Sequence, residues 1–237
     1  MRLLIDAGNT RIKWARVRGD EWLASGALPT ARAAELSAQF AEIPSSVRDV
    51  WVSNVAGDAV AQTLRDSVAA DEWHFISARE RQCGVRNGYM QPAQLGSDRW
   101  AALIAAWHMV GGRCLIVNCG TATTVDALSG EGKFIGGLIL PGMELMQRSL
   151  CSATAQLEAG HGEYAEFPRN TADAMYSAAV QATCGAIERQ HGLLGDAPVV
   201  LSGGAADALR ERLKLPLRLE DNLVLQGLRL IARETMA

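Results

Sequence analysis

The sequence predicts an α/β protein of two similar domains, each a mixed β-sheet with flanking helices, and three observations carry that expectation. Leu3-Leu4-Ile5-Asp6-Ala7-Gly8-Asn9-Thr10 lines up with Leu115-Ile116-Val117-Asn118-Cys119-Gly120-Thr121-Ala122, 112 positions later. Each segment is an apolar run that meets one polar residue, turns at glycine among small hydroxyl or amide neighbours, and resumes as a β-prone stretch. The match continues at the same offset, with Gly19-Asp20-Glu21-Trp22 opposite Glu131-Gly132-Lys133-Phe134 and Leu28-Pro29 opposite Leu140-Pro141. Doubling 112 nearly exhausts the 237 residues, so the chain reads as two copies of one plan, with too few copies and too long a period for a solenoid.

In the first copy, strands are expected at Leu3 to Asp6, Ile12 to Val17 and Trp22 to Leu28, joined by turns at Gly8-Asn9 and Gly19-Asp20. A helix from Ala31 to Ala41, a buried strand from Asp49 to Asn54, a helix from Asp58 to Ala69 and a strand from Trp73 to Ser77 complete a βββαβαβ order. After a polar stretch from Ala78 to Ser97, the run Trp100 to Trp107 is helix-prone, with Ser97 as its N-cap and Asp98 and Arg99 in its first turn. Gly111-Gly112 ends that helix and marks the junction, giving domains of 1–111 and 112–237; the last helix is a candidate to pack back on the first domain. The second copy repeats the meander at Cys114 to Asn118, Thr123 to Leu128 and Lys133 to Leu140. A short helix near Glu144 to Leu150, a long helix from Thr171 to Gln190, a strand from Pro198 to Leu201, a helix from Ala206 to Leu213 and a final helix from about Asn222 follow.

Composition narrows the function. At 49% hydrophobic residues the chain can bury a substantial core without disulfides. Its five cysteines are odd in number and hold no C-x-x-C pair, which argues against a secreted disulfide framework and a zinc knuckle and for reduced thiols in the cytoplasm. Met1-Arg2-Leu3-Leu4-Ile5 meets Asp6 too early for a signal peptide, and no apolar run reaches the length of a membrane span. A net charge of −3 with scattered arginines supplies no basic field for nucleic acid. His74, His108, His161 and His191 lack metal-ligand spacing and read as structural, as do Trp100, Trp107 and a gap-filling Cys119.

The chemistry is expected at the paired turns. Backbone N–H groups in tight turns hold phosphates, and small residues are needed there because a Cβ obstructs close approach. Gly8 and Gly120 meet that need; Asn9, Thr10 and Thr121 add short donors, Lys13 a cation, and Asp6 a carboxylate suited to magnesium through bound water. By itself D-x-G-N is an ordinary hairpin sequence, and the duplication is what sets it apart. Neither the P-loop nor the dinucleotide fingerprint occurs, so a nucleotide site must be built differently. Ser202-Gly203-Gly204, between an apolar strand and a helix, either passes its backbone close to an adenosine or is a simple tight turn.

These residues resemble the type III pantothenate kinases of the acetate and sugar kinase, heat-shock ATPase and actin superfamily. The resemblance rests on Asp6-x-Gly8-Asn9-Thr10, Tyr89 with Pro92 and Leu95-Gly96-Ser97-Asp98-Arg99, Gly120-Thr121-Ala122-Thr123-Thr124-Val125-Asp126, Gly136-Gly137-x-Ile139-x-Pro141-Gly142, Asn170-Thr171 with Ala174-Met175, and Ser202-Gly203-Gly204. It implies duplicated actin-like (ribonuclease H-like) domains and ATP-dependent phosphorylation of pantothenate, the first step of coenzyme A synthesis, with ATP and Mg2+ as cofactors. It assigns Asp98 as general base, a carboxylate that need only orient the hydroxyl and accept its proton late. It also implies that Tyr89, Gly96, Ser97, Asp98 and Arg99 contact pantothenate, and that Thr171 reaches it from the neighbouring subunit of a homodimer. Asp98 as an acid stabilising its helix, Arg99 as a solvated charge and Thr171 as an ordinary helix-start residue are the plainer alternatives. One departure stands out: the family usually has an aspartate, associated with potassium or ammonium, where this chain has Asn118. Without that charge, the expectation is a weakened or altered monovalent-cation requirement. A kinase for another small hydroxy acid, or a non-catalytic binding or regulatory protein retaining the fold, are the competing expectations; intact Asp6, Asp98 and Arg99 argue against the latter.

Overall fold

A computed structural model describes residues 1–40, 47–154, 156–157 and 160–236. It divides into two compact units, Met1–Met109 with Asn222–Ala237, and Val110–Asp221. The first unit opens with β1 (Arg2–Ala7), β2 (Arg11–Arg18) and β3 (Glu21–Pro29), then a 3-10 run (Thr30–Phe40), β4 (Val47–Asn54), α1 (Asp58–Ser67) and β5 (Ala70–Phe75). A small ribbon of β6 (Arg81–Gln82) and β7 (Val85–Arg86), a 3-10 turn (Pro92–Gln94) and α2 (Ser97–Val110) follow. The second unit holds β8 (Cys114–Cys119), β9 (Ala122–Leu128), β10 (Phe134–Pro141), α3 (Met143–Ala153), α4 (Thr171–Leu194), β11 (Val199–Ser202), α5 (Ala206–Arg210) and β12 (Leu217–Leu219). The closing helix α6 (Leu223–Thr235) packs on β1, β2 and β4 of the first unit.

The duplication is written into the sheets. The first runs β3-β2-β1-β4-β5 and the second β10-β9-β8-β11-β12, the same order in each. In both, the first three strands form an antiparallel meander and the next two add in parallel. Leu3, Leu4 and Ile5 are all fully buried, so β1 is covered on both faces, as central strands with parallel neighbours require. Leu3, Ile5, Ile12, Trp14, Val50 and Val52 form one core with Leu36 and Leu64, from the 3-10 run and α1. In the second unit Leu115, Val117, Val125, Val199 and Leu201 pack against Ala179, Val180 and Ile187 of α4 and Leu209 of α5.

Several elements depart from the sequence expectation. The α-helix expected from Ala31 is a 3-10 run kinked at Arg32; its buried residues, Ala33 and Leu36, are three apart, which suits three residues per turn. Its expected end, Ala41, lies outside the described residues. The strand expected at Trp73 to Ser77 begins earlier, at Ala70, and the α-helix from Ala206 ends at Arg210. The ribbon β6–β7 and the edge strand β12 were not anticipated: their runs of two and three residues are too short to show a period. Among the described residues no helix is long and apolar enough to cross a membrane. All five cysteines are free thiols.

Candidate active site

At the end of β1 the chain turns from Ala7 to Ile12, closed by Gly8 N–H donating to the Arg11 carbonyl at 3.1 Å. Thr30 clamps this turn from the next element: its hydroxyl donates to the Gly8 carbonyl at 2.6 Å and its N–H to the Thr10 carbonyl at 3.0 Å. Asn9 and Thr10 are left exposed at the tip. The second turn is one residue tighter, with Gly120 N–H on the Ala122 carbonyl at 3.1 Å and Gly120 and Thr121 exposed. Two glycines allow other backbone to lie against it. A Cβ on Gly142 would stand 2.2 Å from the Gly120 carbonyl oxygen, and one on Gly203, whose φ is +101°, 2.3 Å from that of Cys119. Gly203 is thus fixed by packing within its own unit, whereas Gly204 faces open space.

Asp6 lies opposite Lys13 on β2 and beside Ser53 on β4. Its counterpart Asn118 lies opposite Thr124 and beside Ser202, so a serine from the adjacent parallel strand accompanies the polar residue in both sheets. Ser53 is fully buried, and its hydroxyl is 2.9 Å from that of Ser97 at the start of α2. That bond ties the helix carrying Asp98 to the strand beside Asp6. Ser97 therefore sits within the first turn rather than capping it; Trp100 N–H bonds back to the Gly96 carbonyl at 3.0 Å.

The electrostatics follow from this closeness. Desolvation, then the negative charge of Asp98, raise the Asp6 carboxyl to about 7, against the lowering pull of Lys13. A carboxylate such as Asp6, beside Ser53, suits a hard divalent cation that retains waters. Asp98 is aimed by its surroundings: Oδ1 accepts from Arg99 N–H at 2.8 Å, and a Cβ on Gly96 would stand 2.6 Å from that oxygen. Arg99 is buried to 5% exposure, donates to the Tyr89 hydroxyl at 2.8 Å and lies over the Tyr89 ring at 5.6 Å. Asn87 braces that loop, accepting from Tyr89 N–H at 3.0 Å and donating to the Pro92 carbonyl at 3.1 Å.

In the first unit the structure thus gathers Asp6, Lys13, Gly96, Ser97, Asp98, Arg99 and Tyr89 around linked contacts, with Gly8, Asn9 and Thr10 on the adjoining turn. In the second unit, Asn118, Gly120, Thr121 and Gly203 cluster at the sheet's end, and Thr171 is exposed as the first residue of α4, capped by Asn170. Sequence reasoning did not find Thr30, Ser53 or Asn87. Only Asn87, in an Asn-Gly pair, carried a local turn signal. Cys119 is inert, its thiol pushed up to about 12 by burial.

Residues 2–192 match the family model for type III pantothenate kinase. A type III pantothenate kinase from Aromatoleum aromaticum is 50% identical, with both chains covered completely. The chain belongs to the type III pantothenate kinase family. Among solved structures, it superposes on a Campylobacter jejuni protein described as a Baf family transcriptional activator (TM-score 0.67, 19% identity, 99% and 98% of the two chains). A Sinorhizobium meliloti protein described as a 2-dehydro-3-deoxygalactonokinase gives a TM-score of 0.60 at 17% identity over 98% of each chain. The fold is therefore the two-domain, actin-like plan of the sugar kinases, in keeping with the twin sheets of this type III pantothenate kinase family member.

Proposed function

We propose a division of labour among these residues for the family's reaction, ATP-dependent phosphorylation of pantothenate to 4'-phosphopantothenate in coenzyme A synthesis. The observation that carries it is the 2.9 Å hydrogen bond between Ser53 and Ser97, which ties the helix start bearing Asp98 and Arg99 to the strand beside Asp6. Asp98, oriented by Arg99 N–H, positions the terminal hydroxyl of pantothenate and takes its proton late as the P–O bond to ATP's γ-phosphorus breaks and the new one forms. Arg99 and Tyr89 hold the acceptor, the guanidinium matching its carboxylate. Gly8, Asn9, Thr10, Lys13, Gly120 and Thr121 serve the phosphates, and Gly204 offers open backbone to the adenosine. Asp6 would hold Mg2+ through water; when bound, the ion neutralises charge on the phosphates.

The site is shared across a homodimer. What supports this is an exposed apolar surface in the second unit: Ile135, Leu138 and Ile139 on edge strand β10, and Leu145 and Leu150 on α3. Thr171 heads a stripe of exposed small residues on α4, Ala174, Ala178, Ala182 and Gly185, spaced so that another helix could approach closely. Asn118, with only neutral neighbours across its two strand pairings, supports a weak monovalent-cation requirement. The enzyme works in the cytoplasm, where its free thiols stay reduced.

ADP release measured with and without pantothenate tests the reading. Pantothenate-dependent release with a phosphorylated acid as product, nearly flat in potassium, is expected. Release with some other hydroxy acid instead would transfer the chain to the competing kinase reading, and none with any acceptor would leave a binding protein.

A further inference from the structure

The ribbon β6–β7 turns at Cys83 and Gly84, and Cys83, at φ 48°, is the one non-glycine with positive φ among the described residues. A side chain is disfavoured there, so the turn needs support from outside itself. Glu234, near the end of α6, supplies it: Oε1 accepts from Cys83 N–H at 2.7 Å, and the Cys83 thiol shares the same carboxylate. On the other side α2 grips the tip. His108 Nε2 is 3.2 Å from the Cys83 carbonyl oxygen, and Trp100 Nε1 donates to Gln82 Oε1 at 2.9 Å. Gly84 lies against Trp107, whose indole nitrogen would be 3.0 Å from a Cβ at that position.

The strand leaving this tip leads directly into the acceptor loop. Val85 and Arg86 are followed by Asn87, which fixes Tyr89 N–H, and the Tyr89 hydroxyl receives Arg99. We propose that Glu234 is a positioning residue for the acceptor site: by holding the Cys83 turn it sets where residues 85–89 begin, and so where Tyr89 meets Arg99. It touches neither substrate, and its effect on turnover rests on the assignment of Tyr89 and Arg99 to the acceptor.

Glu234→Ala removes the acceptor for Cys83 N–H, whereas Glu234→Gln keeps a carbonyl oxygen there. In full-length enzyme, Glu234→Ala should raise KM for pantothenate on the order of tenfold while leaving kcat and KM for ATP within about twofold. Glu234→Gln should restore most of the loss, and amide exchange without substrates should quicken across 82–92 in Glu234→Ala only. The proposal is overturned by an unchanged pantothenate KM, by both KM values and kcat moving together with the melting temperature, or by Gln behaving like Ala. If the wild type does not turn over pantothenate, the functional reading fails instead, and exchange across 82–92 still decides whether Glu234 holds the loop.

Discussion

Asp6 is where opposing effects on one side chain become measurable. Its carboxyl has an ordinary value of 3.8 and rises to about 7 in the fold, because desolvation and Asp98 outweigh Lys13. A raised folded value means the stability associated with the neutral acid is complete below about 3.8 and is lost as pH rises through about 7. Asp6→Asn removes that loss. Without magnesium the variant should therefore gain on the wild type by up to a few kcal/mol between about pH 4 and pH 8, since each tenfold change in proton affinity is worth about 1.4 kcal/mol. Urea unfolding at the two pH values checks this; a difference constant with pH contradicts it. Magnesium binding should in turn release a proton near neutrality. Asp6, Asp98 and Arg99 were legible because charged residues beside glycine in a β-turn or at a helix start are conspicuous. Ser53 and Thr30 were not, since a serine in an apolar strand and a threonine after a proline gain meaning only from their partners across space.

At the scale of elements, α2 carries Asp98 and Arg99, to which the proposal assigns the chemistry, and α6 packs against α2. Trp100 through Ala106 are all buried, so α2 is enclosed on every side rather than amphipathic. α6 crosses it at Gly227, where an added Cβ would lie 1.9 Å from the Ala101 carbonyl oxygen. Helix propensity alone favours Gly227→Ala by about 1 kcal/mol. Backbone cannot yield as a flexible side chain does, and overpacking costs about 1–3 kcal/mol or more, so the clash wins. Gly227→Ala should therefore lower the urea midpoint, and an unchanged or higher midpoint would show that α6 can slide. The sequence displayed α2 as an apolar run and α6 only by its start; the return of α6 to the first unit, a candidate from the sequence, is seen in the fold, whereas its crossing at Gly227 is a property of chain topology that periodicity does not encode. The 3-10 run and the β6–β7 ribbon escaped for a related reason. A three-residue spacing of two buried positions mimics an α-helical one, and two-residue strands have no alternation to read.

For the whole molecule, the internal repeat was the most legible feature, because identical strand order in two sheets needs the same succession of apolar runs and turns. Subunit sharing of the site is a proposal that came from family resemblance, and it has a direct consequence. If Thr171 serves the partner's Asp98, mixing two inactive variants, Thr171→Ala and Asp98→Asn, yields heterodimers in which one of the two sites is intact. Random exchange in a two-fold dimer should recover about one quarter of wild-type activity. No recovery after verified subunit exchange places Thr171 in its own chain's site or in none.

The account as a whole turns on the Asp98 carboxylate steering the acceptor alcohol. Its most direct test is pantothenate-dependent ADP formation by Asp98→Asn, in protein shown to melt with the wild type and to bind ATP equally. The account predicts that kcat falls by about two to four orders of magnitude with ATP binding unchanged; turnover near the wild-type rate would contradict it.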